Sequence, residues 1–133
     1  MKVYIAAPLC TKPDREFAEK LDKLCKKLKL ETFLPHRDAG LWKKGISFKE
    51  IAKKDTEAID QCQLIIASLN GFNVGAGTAY EMGIAFAKKI PIIAIKSDRK
   101  PKESIEEISA IIIGNTKITE CFKELEEEIK KLV

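Results

Sequence analysis

Residues 63–87 read QLIIASLNGFNVGAGTAYEMGIAFA, and this stretch decides how the chain folds. Residues 64–67 are a short apolar run rich in β-branched side chains, the pattern of a strand covered on both faces. Asn70, Gly71, Asn73, Gly75 and Gly77 follow closely, a density of helix-disfavouring residues that forces a loop. Thr78 reads as an N-cap, and residues 79–88 carry good helix formers throughout. In a parallel α/β sheet, a strand, loop and helix in this order put the loop at the carboxyl edge, where ligands bind. Glu81 then stands about one turn into the helix and faces the crevice.

Outward from this unit, strand and helix alternate. Residues 2–7 (KVYIAA) read as a strand that Pro8 ends by removing a ladder donor. Pro13, Asp14 and Glu16 suit a helix start, with Thr11 and Lys12 read as capping rather than phosphate-binding. Phe17, Leu21, Leu24, Cys25 and Leu28 mark the buried face of that helix, which runs to about residue 29. Residues 31–34 form a second strand and residues 35–40 a polar turn. Residues 41–46 are ambiguous, Trp42 serving as a lid or as cover for the core. Ser47 with Glu50 forms a capping box. The helix that follows turns Phe48, Ile51, Ala52, Ala58 and Ile59 inward, and Asp55 interrupts this stripe. Residues 90–95 are another buried strand, and residues 97–101 a polar loop. Residues 104–113 read as a helix stopped by Gly114, or as a strand. Residues 116–118 make an edge strand, and residues 119–132 a terminal amphipathic helix. This alternation predicts one α/β domain over residues 1–133: a five-stranded parallel sheet of order 2-1-3-4-5 with helices on both faces. That order puts the switch point between the first and third strands, where the Pro8 and Asn70 loops both end.

At 133 residues, 45% apolar and 33% charged, the composition is that of a soluble globular protein. No apolar run approaches the roughly 20 residues of a membrane span, and no signal-peptide pattern is present, so a cytoplasmic protein is expected. The net charge of +4 is spread among glutamates along the helices, without the clustered basic and aromatic residues of a nucleic-acid footprint. Cys10, Cys25, Cys62 and Cys121 show no C-x-x-C spacing, and His36 stands alone, so neither metal nor cofactor is expected. Cys25, Cys62 and Cys121 read as small buried apolar residues.

The predicted strand ends gather Tyr4, the loop from Pro8, Arg37, Asp38, Asp55 and the segment from Gly75 to Glu81. Two carboxylates in one cleft without histidine or metal suit chemistry at an acetal-type carbon, one carboxylate attacking the anomeric centre. Neighbouring carboxylates also push their titrations apart and so take different roles. Glycines ahead of Glu81 let backbone approach a ligand closely, and the helix N-terminus offers N–H donors to an anion.

Y-I-A-A-P-L near the N-terminus, L-P-H-R-D-A-G, D55-x-x-A-I-D-x-C and G77-T-A-Y-E81-M-G resemble the nucleoside 2-deoxyribosyltransferase family, in order, over nearly the whole chain. The resemblance implies a flavodoxin-like three-layer sandwich, a homodimer or larger homo-oligomer, and cleavage of the N-glycosidic bond of a nucleoside or nucleotide. It implies Glu81 as the nucleophile, Tyr4 orienting it, and Asp55 holding the sugar or assisting proton transfer at the base. Ala6, Pro8, Leu9, Arg37, Asp38, Asn73, Gly75, Gly77 and Thr78 are the substrate contacts it suggests. Many transferases of the family carry an aspartate that contacts the base where this chain has Gly75. A hydrolase branch acting on 2'-deoxynucleoside 5'-monophosphates lacks that aspartate too. Members of that branch resemble the chain in I-S109-A-I-I-I-G, where a serine from the neighbouring subunit contacts phosphate. Sugar transfer, hydrolysis and nucleotide sensing without catalysis are the three functions the sequence leaves open.

Overall fold

The computed structural model describes residues 1–42 and 45–133. Five parallel strands run β1 (Lys2–Ala6), β2 (Glu31–Phe33), β3 (Leu64–Ser68), β4 (Ile92–Ile95) and β5 (Lys117–Thr119). They lie in the order 2-1-3-4-5, with Tyr4 beside Phe33 on one side and Ile65 on the other. The helices are α1 (Lys12–Lys27), α2 (Pro35–Asp38), α3 (Phe48–Gln61), α4 (Ala76–Ala87), α5 (Ile105–Ile108), α6 (Ala110–Asn115) and α7 (Phe122–Lys130).

The two-residue period of the strands splits the core between two layers. Val3, Ile5, Leu64, Ile66, Ile93 and Ile95 face α1 and α7 through Leu21, Cys25, Leu125 and Ile129. Tyr4, Ala6, Ile65, Ala67 and Ala94 face the opposite layer, where Ile59 of α3, Met82 and Ala85 of α4, and Ile108 of α5 cover them. All five residues of β3 are buried, as its unbroken apolar run requires of a central parallel strand. Burying each of its isoleucines contributes about 1.5–3 kcal/mol.

Local capping sets where the helices begin. Thr11 caps α1 in a reciprocal box with Asp14, so it serves the helix as the sequence suggests. The Ser47 hydroxyl accepts from the Lys49 and Glu50 backbone N–H groups at the start of α3. No described helix is long and apolar enough to cross a membrane.

Several elements depart from expectation. The polar turn over residues 35–40 is the helix α2. Pro35 supplies a preset φ at the first helical position, and the Asp38 carboxylate accepts the Leu34 N–H at 2.8 Å. The helix over residues 104–113 is broken in two at Ser109, which takes φ +86°. Thr78 is not the N-cap of α4. The helix starts two residues earlier than Thr78, with Gly75 as cap and its carbonyl accepting the Ala79 N–H at 2.9 Å. Phe48 is 69% exposed rather than inward and stacks on the exposed Trp42 at 5.3 Å. Ala52 also faces solvent, and Cys121 is exposed because it precedes the first turn of α7. The ambiguous segment over residues 41–46 includes Lys43 and Lys44, which lie outside the described residues.

Candidate active site

On the α3–α4 layer, Tyr4 lies at the middle of β1 with its ring wholly buried. Phe33 of the neighbouring strand stacks on that ring, centroids 5.4 Å apart and planes within 13° of parallel, which limits how the phenol can swing. The Tyr4 hydroxyl donates to Oε2 of Glu81, the sixth residue of α4. Asp55 approaches from α3, and its Oδ1 is buried without a hydrogen-bond partner. The phenol thus stands with two carboxylates from two helices, beneath the switch point between β1 and β3.

The three groups titrate far from their ordinary values. Burial pushes the Glu81 carboxyl up to about 7; the Asp55 charge adds to the rise and the Tyr4 hydrogen bond opposes it. Burial pushes Asp55 up to about 6, again against the pull of the Tyr4 hydroxyl. The Tyr4 phenol is held well above its ordinary range by burial first, then by the Glu81 charge. The phenol has one proton, and the geometry gives it to Glu81. This leaves Glu81 Oε1 free of that donor and Asp55 Oδ1 in need of one. Two half-buried carboxylates that repel each other beside one phenol are organised for chemistry, since their desolvation costs stability.

The loops at the carboxyl edge close around this centre. Pro8 meets the start of α4: a Cβ built on Gly75 would lie 3.5 Å from Pro8 Cγ and 3.4 Å from Thr78 Oγ1. Thr78 is 2% exposed, and its hydroxyl has no hydrogen-bond partner. Gly75 gives α4 no side-chain cap, so the N–H groups of its first turn remain open. Gly77 lies in that turn, and Asn73 is exposed in the loop ahead of it. Ala6 is buried beside Tyr4.

Four other suggested contacts are placed differently. Leu9 packs toward the α1–α7 core, its carbonyl taken by Arg15 at 2.9 Å. Arg37 and Asp38 pair with each other at 2.7 Å, and Arg37 also reaches Asp22 at 3.2 Å and the Thr32 carbonyl at 3.0 Å. Their charges are engaged on the α1–β2 side and are not brought to Tyr4 and Glu81. Ser109 lines a cavity of about 480 Å³ together with Met82, Gly83 and Phe86 of α4. Helical spacing puts those three on the flank of α4 away from Glu81, so Ser109 does not meet the carboxylates of its own chain. Sequence reasoning passed over Phe33 and the buried Lys96 just beyond β4. A lysine at the end of an unbroken apolar strand was the available signal for the latter.

A parallel sheet with a buried phenol and two half-buried carboxylates at its switch point defines an α/β domain suited to act on a small molecule there. The family model of nucleoside 2-deoxyribosyltransferases matches residues 3–125, and the chain belongs to that family. No curated protein sequence matches the chain. Among solved structures, a conserved protein from Enterococcus faecalis V583 is similar at 27% identity and a TM-score of 0.79, covering 100% of this chain and 99% of that one. A 2-deoxyribosyltransferase of Bacillus psychrosaccharolyticus is similar at 17% identity and a TM-score of 0.71, covering 95% and 90%. The CMP N-glycosidase of Clostridium botulinum is similar at 22% identity and a TM-score of 0.65, covering 98% and 99%. The last two likenesses are likenesses of fold. Membership of that family supports chemistry at the N-glycosyl bond of a nucleoside as the class of reaction.

Proposed function

We propose that the protein is a nucleoside 2-deoxyribosyltransferase-type enzyme that works through a covalent sugar–Glu81 intermediate. The observation that carries this reading is the hydrogen bond from Tyr4 to one oxygen of a half-buried Glu81, which leaves the other to attack. Glu81 Oε1 forms a bond to the anomeric carbon as the bond from that carbon to the base nitrogen breaks. The departing base takes the electron pair and a proton from water. A second base then attacks the same carbon and releases the Glu81 carboxylate. Asp55, with an unpartnered buried oxygen, accepts a hydroxyl of the sugar or an N–H of the base. Asn73, Gly75, Gly77, Pro8 and Ala6 shape the pocket around the base and sugar.

A second reading is favoured by the open start of α4. With no side chain at Gly75 and an unpartnered Thr78 hydroxyl beside it, the helix N-terminus suits a 5'-phosphate. In that case the substrate is a 2'-deoxynucleoside 5'-monophosphate, and water replaces the acceptor base. The chain would then act as a homodimer through the apolar groove between α4 and α6. Phe86 and Ile111 stand exposed at that groove, and the strained Ser109 would reach the partner's phosphate.

Chromatography after incubation with deoxynucleosides, and separately with their monophosphates, each with and without a second base, tests both readings. A new nucleoside that appears only with the acceptor base supports transfer. Free base from the monophosphates alone supports hydrolysis. Bound nucleotide with no product in any tube would replace both with a sensor.

A further inference from the structure

Lys96 is 1% exposed and has no part in the carboxylate chemistry. Its ammonium donates to the carbonyls of Leu69 at 3.1 Å and Gly71 at 2.9 Å, and lies 2.9 Å from Asp98 Oδ1. Asp98 in turn accepts the Gly71 N–H through Oδ2 at 2.8 Å. Beside them Asn70 Nδ2 donates to the Ser97 hydroxyl at 2.9 Å, and the Ser97 N–H returns to Asn70 Oδ1 at 2.8 Å. Arg99 donates to the Gly71 carbonyl at 3.3 Å and holds its guanidinium 5.6 Å from the centre of the Phe72 ring. The loop leaving β3 thus hangs, residue by residue, from the segment after β4.

A methionine would fill the Lys96 site without the cost of desolvating a charge. What lysine adds is three directed donors, and all three are used on the loop or on the aspartate that grips it. One reaches Gly71 directly and one reaches it through Asp98, and Gly71 holds φ +111°, a left-handed conformation that favours glycine. Glu81 is secured independently by Met82 and Ala85 in the core and by Tyr4.

We infer that Lys96 is the positioning residue of the substrate-binding loop, its buried ammonium fixing residues 69–71 so that Asn73 and Gly75 meet the substrate. This rests on the proposed reading that the loop contacts a nucleoside or nucleotide. Loss of the ammonium then weakens substrate binding and leaves the nucleophile in place.

The test compares the full-length protein with Lys96→Met and with the double variant K96M/D98N, which also removes the carboxylate left without its cation. The probe is whichever deoxynucleoside or monophosphate the unaltered protein cleaves. In both variants KM is expected to rise about tenfold or more while kcat stays within about twofold. Hydrogen exchange at the Gly71 amide should quicken while that of β3 is unchanged. The double variant should regain thermal stability but not KM. A purely structural lysine would lower the melting temperature and the active fraction with KM unaltered. In an active enzyme, an unchanged KM or unchanged exchange at Gly71 overturns the inference. If the unaltered protein cleaves neither probe, the proposed function has failed, and exchange at Gly71 alone decides whether Lys96 holds the loop.

Discussion

Tyr4, Asp55 and Glu81 pull on one another's protons in opposite senses, and the signs can be read in a pH profile. As nucleophile Glu81 must be ionised, so kcat/KM should rise with pH through about 7. The Tyr4 hydrogen bond lowers the Glu81 titration, so Tyr4→Phe should move this limb to higher pH. The charge on Asp55 raises it, so Asp55→Asn should move the limb to lower pH. Both variants lose activity, but the limbs part. Limbs that move together, or not at all, would contradict the arrangement. That Glu81 and Tyr4 meet was legible because the strand–loop–helix pattern packs the helix after the glycine-rich loop over the first strand, and because the motifs that carry them resemble those of the family. The partnerless Thr78 hydroxyl was not, since a threonine three residues past a glycine reads equally well as a cap.

At the β2 edge of the sheet, α1, β2 and α2 are bound by a knot of charge around Asp22. Asp22 is 6% exposed and pairs with Lys26 at 2.7 Å as well as with Arg37, and the Thr32 hydroxyl donates to it. Arg37 is exposed, and without it the buried Asp22 carboxylate loses one charged donor but keeps Lys26 and the Thr32 hydroxyl. Arg37→Ala should therefore lower stability by about 0.5–1.5 kcal/mol in urea unfolding, with KM within error of the unaltered enzyme. Unchanged stability with a raised KM would instead put Arg37 on the substrate. The sequence placed Arg37 and Asp38 correctly after the second strand but could not show that Asp22, a turn-face residue of α1, would engage them. The same limit applies at Ser109. The isoleucine run around it has helical composition, and nothing local announces a positive φ in its midst.

The sheet order, the two helical layers and the position of the cleft follow from strands and helices that alternate with short connections, which leaves few topologies open. That much was legible because β3 and β4 are continuous apolar runs that only a covered parallel sheet accommodates. The exposed groove between α4 and α6 was not, because it arises where two helix faces diverge rather than in any one segment. The proposed chemistry turns on one step, transfer of the sugar to Glu81. The direct test is rapid acid quenching of the protein during turnover of a deoxynucleoside or its monophosphate, followed by peptide mass spectrometry. The peptide carrying Glu81 should gain one deoxyribosyl or deoxyribosyl-phosphate group, and the gain should be absent in Glu81→Gln. Undiminished turnover in Glu81→Gln, or a sugar carried on another residue, would contradict it.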